Sequence, residues 1–163
     1  MKSLLLLLFS FFPVIAFGDR AKPNVVYILA DDLGYGDLKS MNTEGKIATP
    51  GSDQMAKEGM VFTDAHSNSA VCTPTRYGVL TGRYAFRSRM KKGVLNGYSS
   101  YLIEDGRMTV PSFLNNQGYH TAFIGKWHLG WDWAKNGEKV DYSKPVQNGP
   151  KEKGFEYSYG HCG

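Results

Sequence analysis

Strand-like and helix-like patterns alternate along this chain, and that alternation restricts its fold more than any other feature. Residues 25–30 (VVYILA) form a continuous apolar, β-branched run, typical of a strand covered on both faces in a parallel sheet. Thr49 and Pro50 are a suitable cap and first turn for a helix that Gly59 would end. Residues 60–65 (MVFTDA) are predicted to be the next strand.

The same alternation continues further along the chain. Thr109 is predicted to cap a second helix that Gly118 closes, and residues 119–124 (YHTAFI) follow as a strand. The pattern predicts an α/β domain with a mainly parallel β-sheet flanked by helices and right-handed crossovers. Such sheets bind ligands at the carboxyl ends of their strands. We therefore expect the reactive residues that follow the three strands to converge.

Charged residues follow the first and third of these strands. Asp31 and Asp32 come directly after residues 25–30, and Lys126 and His128 come after the third strand. Two adjacent carboxylates repel each other, and a hard divalent cation such as Ca²⁺ or Mg²⁺ removes that repulsion. By itself an Asp-Asp pair is more often a helix cap or an exposed turn, and Lys126 and His128 alone are more often surface residues.

Cys72 follows the second predicted strand. Pro74 suits the first turn of a helix, which places Cys72 at the positive N-terminal end, and Arg76 can direct its guanidinium toward the same place. This favours a reactive cysteine at an anion-binding site. A buried structural thiol, or a disulfide with Cys162, are the alternatives.

The first residues have the composition of a signal peptide. Lys2 precedes an apolar run over residues 4–16, and the small residue Gly18 stands directly before the charged residues Asp19 and Arg20. The run is shorter than the roughly 20 residues of a membrane span and Pro13 interrupts it, so we expect cleavage after Gly18 and no stable membrane span. An uncleaved anchor or a lipidated N-terminus is the alternative, although no cysteine lies near Gly18. The pattern predicts a secreted or periplasmic protein.

The predicted mature chain is mildly basic. Removal of residues 1–18 takes away Lys2 and lowers the formal net charge from +4 to +3. A local run of cations can attract an anionic substrate, although such a run is more often a solvated face. No zinc-finger spacing or RNP-like aromatic pattern accompanies it, which argues against nucleic-acid binding. The run consists of Arg83, Arg87, Arg89, Lys91 and Lys92.

Four segments carry a family resemblance. Residues 72–76 (CTPTR) match the Cys-x-Pro-x-Arg signature of sulfatases, and residues 80–83 (LTGR) match its usual continuation. The chain thereby resembles the type I, formylglycine-dependent, arylsulfatase-like sulfatases of the alkaline phosphatase superfamily. The other similar segments are residues 23–38 (PNVVYILADDLGYGDL), 49–67 (TPGSDQMAKEGMVFTDAHS) and 118–130 (GYHTAFIGKWHLG).

The resemblance implies a specific reaction. A maturation enzyme would oxidise Cys72 to formylglycine, and the aldehyde would then be hydrated. One hydroxyl of the hydrate attacks the sulfur of a sulfate ester, and the other later loses its proton, so that sulfate is expelled and the aldehyde returns. The implied metal ion, Ca²⁺ or alternatively Mg²⁺, polarises the sulfate oxygens.

The resemblance also assigns roles to individual residues. Asp31, Asp32 and the oxygen of modified residue 72 would bind the metal ion. Arg76 would steady the formylglycine, and Lys126 and His128 would contact the sulfate.

Other expectations concern the extent of the domain and its substrate. The family completes its metal site with later residues, so we expect residues 19–163 to be the N-terminal part of a sulfatase catalytic domain and to be inactive alone. Beyond Trp131 the sequence is polar and contains Gly and Pro, which predicts a long surface loop. Trp127, Trp131 and Trp133 can stack on a sugar of a sulfated carbohydrate, although packing against the domain is the more common use of such residues.

Two other functions are compatible with parts of the pattern. A phosphatase or phosphodiesterase of the same superfamily shares the fold, but generally uses an unmodified Ser or Thr and needs no Cys-x-Pro-x-Arg signature. A non-catalytic secreted module that binds anionic glycans would be expected to lose Cys72, Arg76 or the aspartate pair, and all of them are retained.

Overall fold

The structure, a computed structural model, describes residues 21–163, so the predicted signal peptide lies outside the described residues. The chain divides into two compact units, Met1–Ala30 and Asp31–Gly163. In the first unit, residues 21–30 contain no helix or strand, and Val26 and Ile28 are exposed. The strand predicted at residues 25–30 is therefore wrong for this structure. A strand is stabilised by hydrogen bonds to a neighbour, and the described part of the chain places none beside this run.

Three α-helices lie in the second unit, and their ends follow the predicted signals. Helix α1 is Pro50–Glu58, helix α2 is Cys72–Thr81 and helix α3 is Val110–Asn116. Thr109 caps α3, because its hydroxyl accepts a hydrogen bond from the Ser112 amide at 3.2 Å. These helices confirm the predicted ones. Within residues 21–163, no helix combines the length and apolar character needed to cross a membrane.

The strands form a short parallel pair and a hairpin. Strand β1, Ala122–Lys126, pairs in parallel with strand β4, Tyr157–His161. Strands β2, Lys135–Asn136, and β3, Lys139–Val140, form an antiparallel hairpin between them in sequence. Short 3₁₀ turns occur at Tyr35–Asp37, Ala85–Arg87 and Lys151–Lys153.

This architecture confirms an α/β fold with a parallel sheet and helices. The third predicted strand is present, but it begins three residues and ends two residues later than predicted. Residues 60–65 form no strand, and Met60 and Phe62 there are 77% and 69% exposed. As at residues 25–30, an apolar run indicates a strand only when a neighbouring strand satisfies its backbone.

The core holds α2 against the end of β1. Tyr77 on α2 is fully buried and Trp127, which follows β1, is 2% exposed, and both belong to one apolar cluster with Ile103 and Leu129. The indole N–H of Trp127 donates to the Gly130 carbonyl at 2.9 Å. Trp127 is therefore a packing residue, not a surface for a sugar. Its burial and that of Tyr77 fix the backbone of their neighbours in sequence.

A glycine pair allows β1 and β4 to approach. Gly125 and Gly160 are paired in register, and a Cβ at position 160 would overlap the Gly125 carbonyl. We expect Gly160→Ala to destabilise the protein by about 2 kcal/mol or more, lowering Tm by roughly 10 °C in a thermal-unfolding measurement. The matched control is Gly51→Ala in α1, where an added Cβ meets nothing within 4 Å. Equal melting temperatures for the two variants would contradict the proposed close packing.

Candidate active site

Cys72 is the first residue of α2 and is partly exposed. This confirms its predicted place at the N-terminal end of a helix, where unpaired backbone N–H groups favour an anion. Both Cys72 and Cys162 are free thiols, so the alternative of a disulfide between them is not found. Cys162 is buried, and burial raises the pKa of its thiol. The two cysteines therefore differ in their access to solvent.

Buried polar contacts fix the start of α2. Thr73 is fully buried, and its hydroxyl accepts a hydrogen bond from the Leu95 amide at 3.2 Å. The Asn68 amide donates to the Pro74 carbonyl at 2.9 Å, and Gly78 leaves room for that side chain. Neither Thr73 nor Leu95 was predicted to have a role. The only signal for Thr73 in the sequence is its position inside the Cys-x-Pro-x-Arg stretch.

Three predicted site residues from distant parts of the chain meet beside α2. The two carboxylate oxygens of Asp31 each accept one charged hydrogen bond, from Arg76 Nη2 at 3.0 Å and from Lys126 Nζ at 2.8 Å. Arg76 also donates to the backbone carbonyl of Lys126. We call these three residues the Asp31 cluster. Its assembly agrees with the predicted convergence of this part of the site.

The charges of the Asp31 cluster do not cancel. Hydrogen bonds from Lys126 and then from Arg76 lower the pKa of the Asp31 carboxyl, so it is ionised at neutral pH. Two cations then face one carboxylate within the cluster, and the adjacent Asp32 carboxylate is the nearest further charge in sequence. The Arg76 side chain is only 11% exposed, and its Nε is buried without a hydrogen-bond partner among residues 21–163. A cationic site with an unused buried donor suits an anion.

Cys72 lies close to this cluster because of helix geometry. Cys72 and Arg76 are four residues apart on α2, so their side chains lie on the same face, with Cβ atoms about 5–6 Å apart. Asp32 is exposed and has a left-handed backbone with φ of 58°, which marks a sharp turn immediately after Asp31. The structure thus brings Asp31, Arg76 and Lys126 into contact and places Cys72 one helical turn away.

The fit to a metal ion can be tested on these residues. Asp31 and Asp32 offer carboxylate oxygens, the donors that Ca²⁺ and Mg²⁺ prefer. Within residues 21–163, no group of three or more His, Cys, Asp or Glu side chains could hold a metal ion. Asp31, Asp32 and residue 72 are therefore not gathered into a complete site. Two carboxylates are the right kind of ligand but too few for the six or so that Ca²⁺ takes, so the metal site stays a prediction.

His128 lies on the other side of the α2 start. It is 7% exposed, has φ of 52°, and its Nε2 donates to the Leu95 carbonyl at 2.7 Å. The Leu95 amide also donates to Thr73, so Leu95 connects His128 to the residue that follows Cys72. His128 Nδ1 is buried and has no hydrogen-bond partner in the described part of the chain. Its predicted contact with sulfate stays a prediction.

The basic run after α2 has mainly structural contacts. Arg83 pairs with Glu104 at 3.1 Å, and the side chains of Arg89 and Lys91 donate to backbone carbonyls. These contacts engage three of the five cations, of which only Arg83 is paired with a carboxylate. They favour the solvated-face interpretation of this run over attraction of a substrate.

Comparison with known proteins decides the family. The family model described as Sulfatase matches residues 23–162, which include every residue of the site described above. The chain belongs to the sulfatase family. Sulfatases are hydrolases, and membership accounts for the joint presence of the cysteine signature, the acidic pair and the two later cations.

Individual sulfatases are similar along most of the chain. It is 39% identical over 138 residues to an N-acetylgalactosamine-6-O-sulfatase of Bacteroides thetaiotaomicron, covering 85% of the chain and 26% of that protein. It is 37% identical over 146 residues to human arylsulfatase D, covering 85% of the chain and 23% of that protein. The chain thus spans about a quarter of the length of these curated relatives.

Solved structures agree with the fold. A structure from work on glycosaminoglycan metabolism by Bacteroides thetaiotaomicron matches with a TM-score of 0.76 and 37% identity, covering 85% of this chain and 28% of that one. The structure of Ps i-CgsB matches with a TM-score of 0.73 and 31% identity, covering 88% of this chain and 29% of that one. Ps i-CgsB has also been solved in complex with k-i-k-neocarrahexaose.

Proposed function

We propose that the protein containing this chain is a sulfuric ester hydrolase in which Cys72, converted to formylglycine, is the nucleophile. The observation that carries the proposal is the Asp31 cluster, in which two cations, one with an unpaired buried donor, lie one helical turn from Cys72 in a member of the sulfatase family. An anionic sulfate ester is the kind of group that such a site stabilises. Residues 19–163 are, in this proposal, the N-terminal part of the catalytic domain.

The modified residue and the cation supply chemistry that ordinary side chains lack. Formylglycine at position 72 supplies an aldehyde hydrate. One hydroxyl loses its proton and attacks sulfur while the S–O bond to the alcohol breaks and the alcohol leaves with a proton; deprotonation of the other hydroxyl then releases sulfate and regenerates the aldehyde. Asp31 and Asp32 would hold a divalent cation, Ca²⁺ or Mg²⁺, together with residue 72, and that ion would neutralise charge on the sulfate oxygens.

Arg76 and Lys126 position the reacting groups in this proposal. Arg76 is held by Asp31 and by the Lys126 carbonyl, so its guanidinium is fixed beside residue 72, and its buried Nε has a donor to spare. Lys126 Nζ bonds to one Asp31 oxygen at 2.8 Å, and an ammonium group has further N–H donors for a sulfate oxygen. The hydrogen bond from His128 Nε2 to the Leu95 carbonyl orients the imidazole, and Nδ1 would donate to a sulfate oxygen only in the doubly protonated form of the ring.

The protein's location and partners follow from the same proposal. The signal-like residues 1–18 support export, with the mature protein secreted or periplasmic. A formylglycine-generating or other sulfatase-maturation enzyme would act on Cys72. Sulfated carbohydrates are the favoured substrate class, since a relative is named for its action on N-acetylgalactosamine 6-O-sulfate.

Peptide mass spectrometry of residue 72 tests the proposal. After co-expression with a sulfatase-maturation enzyme, we expect the peptide containing Cys72 to carry an aldehyde in place of the thiol. Cys162 is a control on the same chain, because it is buried and lacks the Cys-x-Pro-x-Arg context, and it should remain a thiol. The converted protein should release sulfate from an aryl sulfate. An intact Cys72 thiol together with hydrolysis of an aryl phosphate would indicate the phosphatase alternative.

A further inference from the structure

Four aromatic rings pack together beyond the site and have no role in the proposed chemistry. Trp131 and Trp133 meet edge to face, with ring centroids 5.4 Å apart. Trp133 meets Tyr142 in the same way at 5.3 Å and lies 6.3 Å from Tyr98. We call Tyr98, Trp131, Trp133 and Tyr142 the aromatic cluster. Its members come from three separate segments of the chain, so the fold itself assembles the cluster.

The outer rings of the aromatic cluster are both exposed and fixed. Tyr98 and Tyr142 are each 67% exposed, yet their hydroxyl groups are hydrogen-bonded to each other at 3.1 Å. The indole N–H of Trp133 donates to the Gly97 carbonyl at 2.8 Å, which holds the central ring. Fixed rings lose little conformational entropy when a ligand stacks on them. Exposed rings with polar edges suit a ligand that is apolar on its faces and hydroxylated at its rim, such as a pyranose.

A short loop places the aromatic cluster near the proposed active site. Leu95 bonds to Thr73 beside Cys72 and to His128, as described above. Tyr98 follows Leu95 by three residues, which a chain can span over at most about 11 Å. The cluster therefore lies within reach of a short oligosaccharide whose sulfate is held near Cys72.

The charge around the aromatic cluster favours a sulfated ligand. The β2–β3 hairpin lies between Trp133 and Tyr142 in sequence, and the Asp141 amide donates to the Ala134 carbonyl at its base. Lys135 and Lys139 on this hairpin are exposed. Neither lysine forms a salt bridge to a carboxylate among residues 21–163. Glu138 in the turn of the same hairpin is exposed too, so residues 135–140 carry a net charge of +1. This net positive charge beside the exposed rings attracts an anionic sugar more than a neutral one.

We infer that the aromatic cluster is a carbohydrate subsite, in which the exposed rings of Tyr98 and Tyr142, held in place by Trp133, contact a non-reacting sugar ring of a sulfated glycan. The inference rests on the proposed function for the reacting end of the glycan. It gives Tyr98 and Tyr142 a role in specificity and none in the chemical step. Truncation of either ring should weaken glycan binding and leave the hydrolysis of a small aryl sulfate unchanged.

A binding measurement tests the subsite without requiring turnover. A tetrasaccharide containing N-acetylgalactosamine 6-sulfate is titrated into the full-length protein carrying Cys72→Ser, and tryptophan fluorescence is recorded. We expect Tyr98→Ala and Tyr142→Ala to raise Kd about five- to tenfold each. Tyr98→Phe should stay within about twofold, because it keeps the ring. The control Tyr84→Ala removes another half-exposed tyrosine and should leave Kd unchanged.

The outcomes separate this inference from the proposed function. Equal Kd values for Tyr98→Ala, Tyr142→Ala and Tyr84→Ala, or no binding of the tetrasaccharide, would overturn the subsite. Loss of aryl sulfate hydrolysis in the Tyr98→Ala or Tyr142→Ala protein, with Cys72 intact, would also overturn it, since the rings would then support the active site itself. Tetrasaccharide binding that depends on both tyrosines, in a protein that releases no sulfate, would support the subsite and contradict the proposed function.

Discussion

Replacing Cys72 with alanine is expected to lower kcat/KM for an aryl sulfate by about 10⁴-fold or more. Alanine cannot be converted to an aldehyde, so the variant has no hydrate to attack sulfur and no second hydroxyl to release sulfate. The remaining cations can still bind the ester, and KM should therefore change much less than kcat. Steady-state kinetics on the full-length, matured protein measure both quantities.

The second cysteine of the chain provides the control for this prediction. Cys162 is 5% exposed, and we expect it to remain a thiol when Cys72 is converted to formylglycine. Cys162→Ala should reduce stability slightly, because it leaves a small cavity, and keep kcat/KM within about threefold. If Cys72→Ala retained most of its activity, the nucleophile would have to be another group. A loss of equal size in both variants would point to general damage to the fold.

The helices of this protein could be predicted because their signals are local. Thr109 accepts a hydrogen bond from the Ser112 amide three residues later and so caps α3. Pro50 stands in the first turn of α1, where the Thr49 side chain forms no cap hydrogen bond. Pro74 correctly predicted that α2 begins at Cys72. A cap is a property of a short segment, so reading the sequence is sufficient to find it.

The strands could be predicted less well because a strand depends on its neighbour. The apolar runs at residues 25–30 and 60–65 have the composition of strands, but in the described residues neither is hydrogen-bonded into a sheet. Strand β1 is present because Tyr157–His161 supplies a parallel partner in register. The polar sequence after Trp131 predicted a surface loop and gave no local signal for this partner strand.

The site was predictable to the extent that chemistry and spacing determine it. Asp31 and Lys126 were expected to lie together and are hydrogen-bonded, although 95 residues separate them and the strand expected at residues 25–30, before Asp31, is absent. The helix start predicted from Pro74 placed Arg76 near Cys72, and the two residues are four apart on α2, on the same face of the helix. The role of Leu95 was missed because only its backbone takes part: its amide donates to Thr73 and its carbonyl accepts from His128. Every residue except proline has the same backbone amide and carbonyl, so the residue type gives no signal.

Removing the ammonium group of Lys126 is expected to have the second large effect on activity. Lys126→Ala should lower kcat/KM for an aryl sulfate by about 10²- to 10³-fold, the range typical of losing one charged or hydrogen-bonding group that stabilises a transition state. Lys126→Arg should recover part of the activity, since it restores the charge but not the compact ammonium geometry. Lys92→Ala, which removes an exposed lysine of the basic run, should stay within about twofold.

A thermal measurement distinguishes lost chemistry from lost structure in these lysine variants. The Lys126 and Asp31 side chains are 24% and 43% exposed, and an ion pair this accessible contributes at most about 1 kcal/mol to stability. Asp31 also keeps its hydrogen bond from Arg76 at 3.0 Å when Lys126 is removed. Tm should therefore fall by only a few degrees while kcat/KM falls by orders of magnitude. If Lys126→Ala unfolded the protein, or was as active as Lys92→Ala, Lys126 would be a structural partner of Asp31 and not a contact of the sulfate.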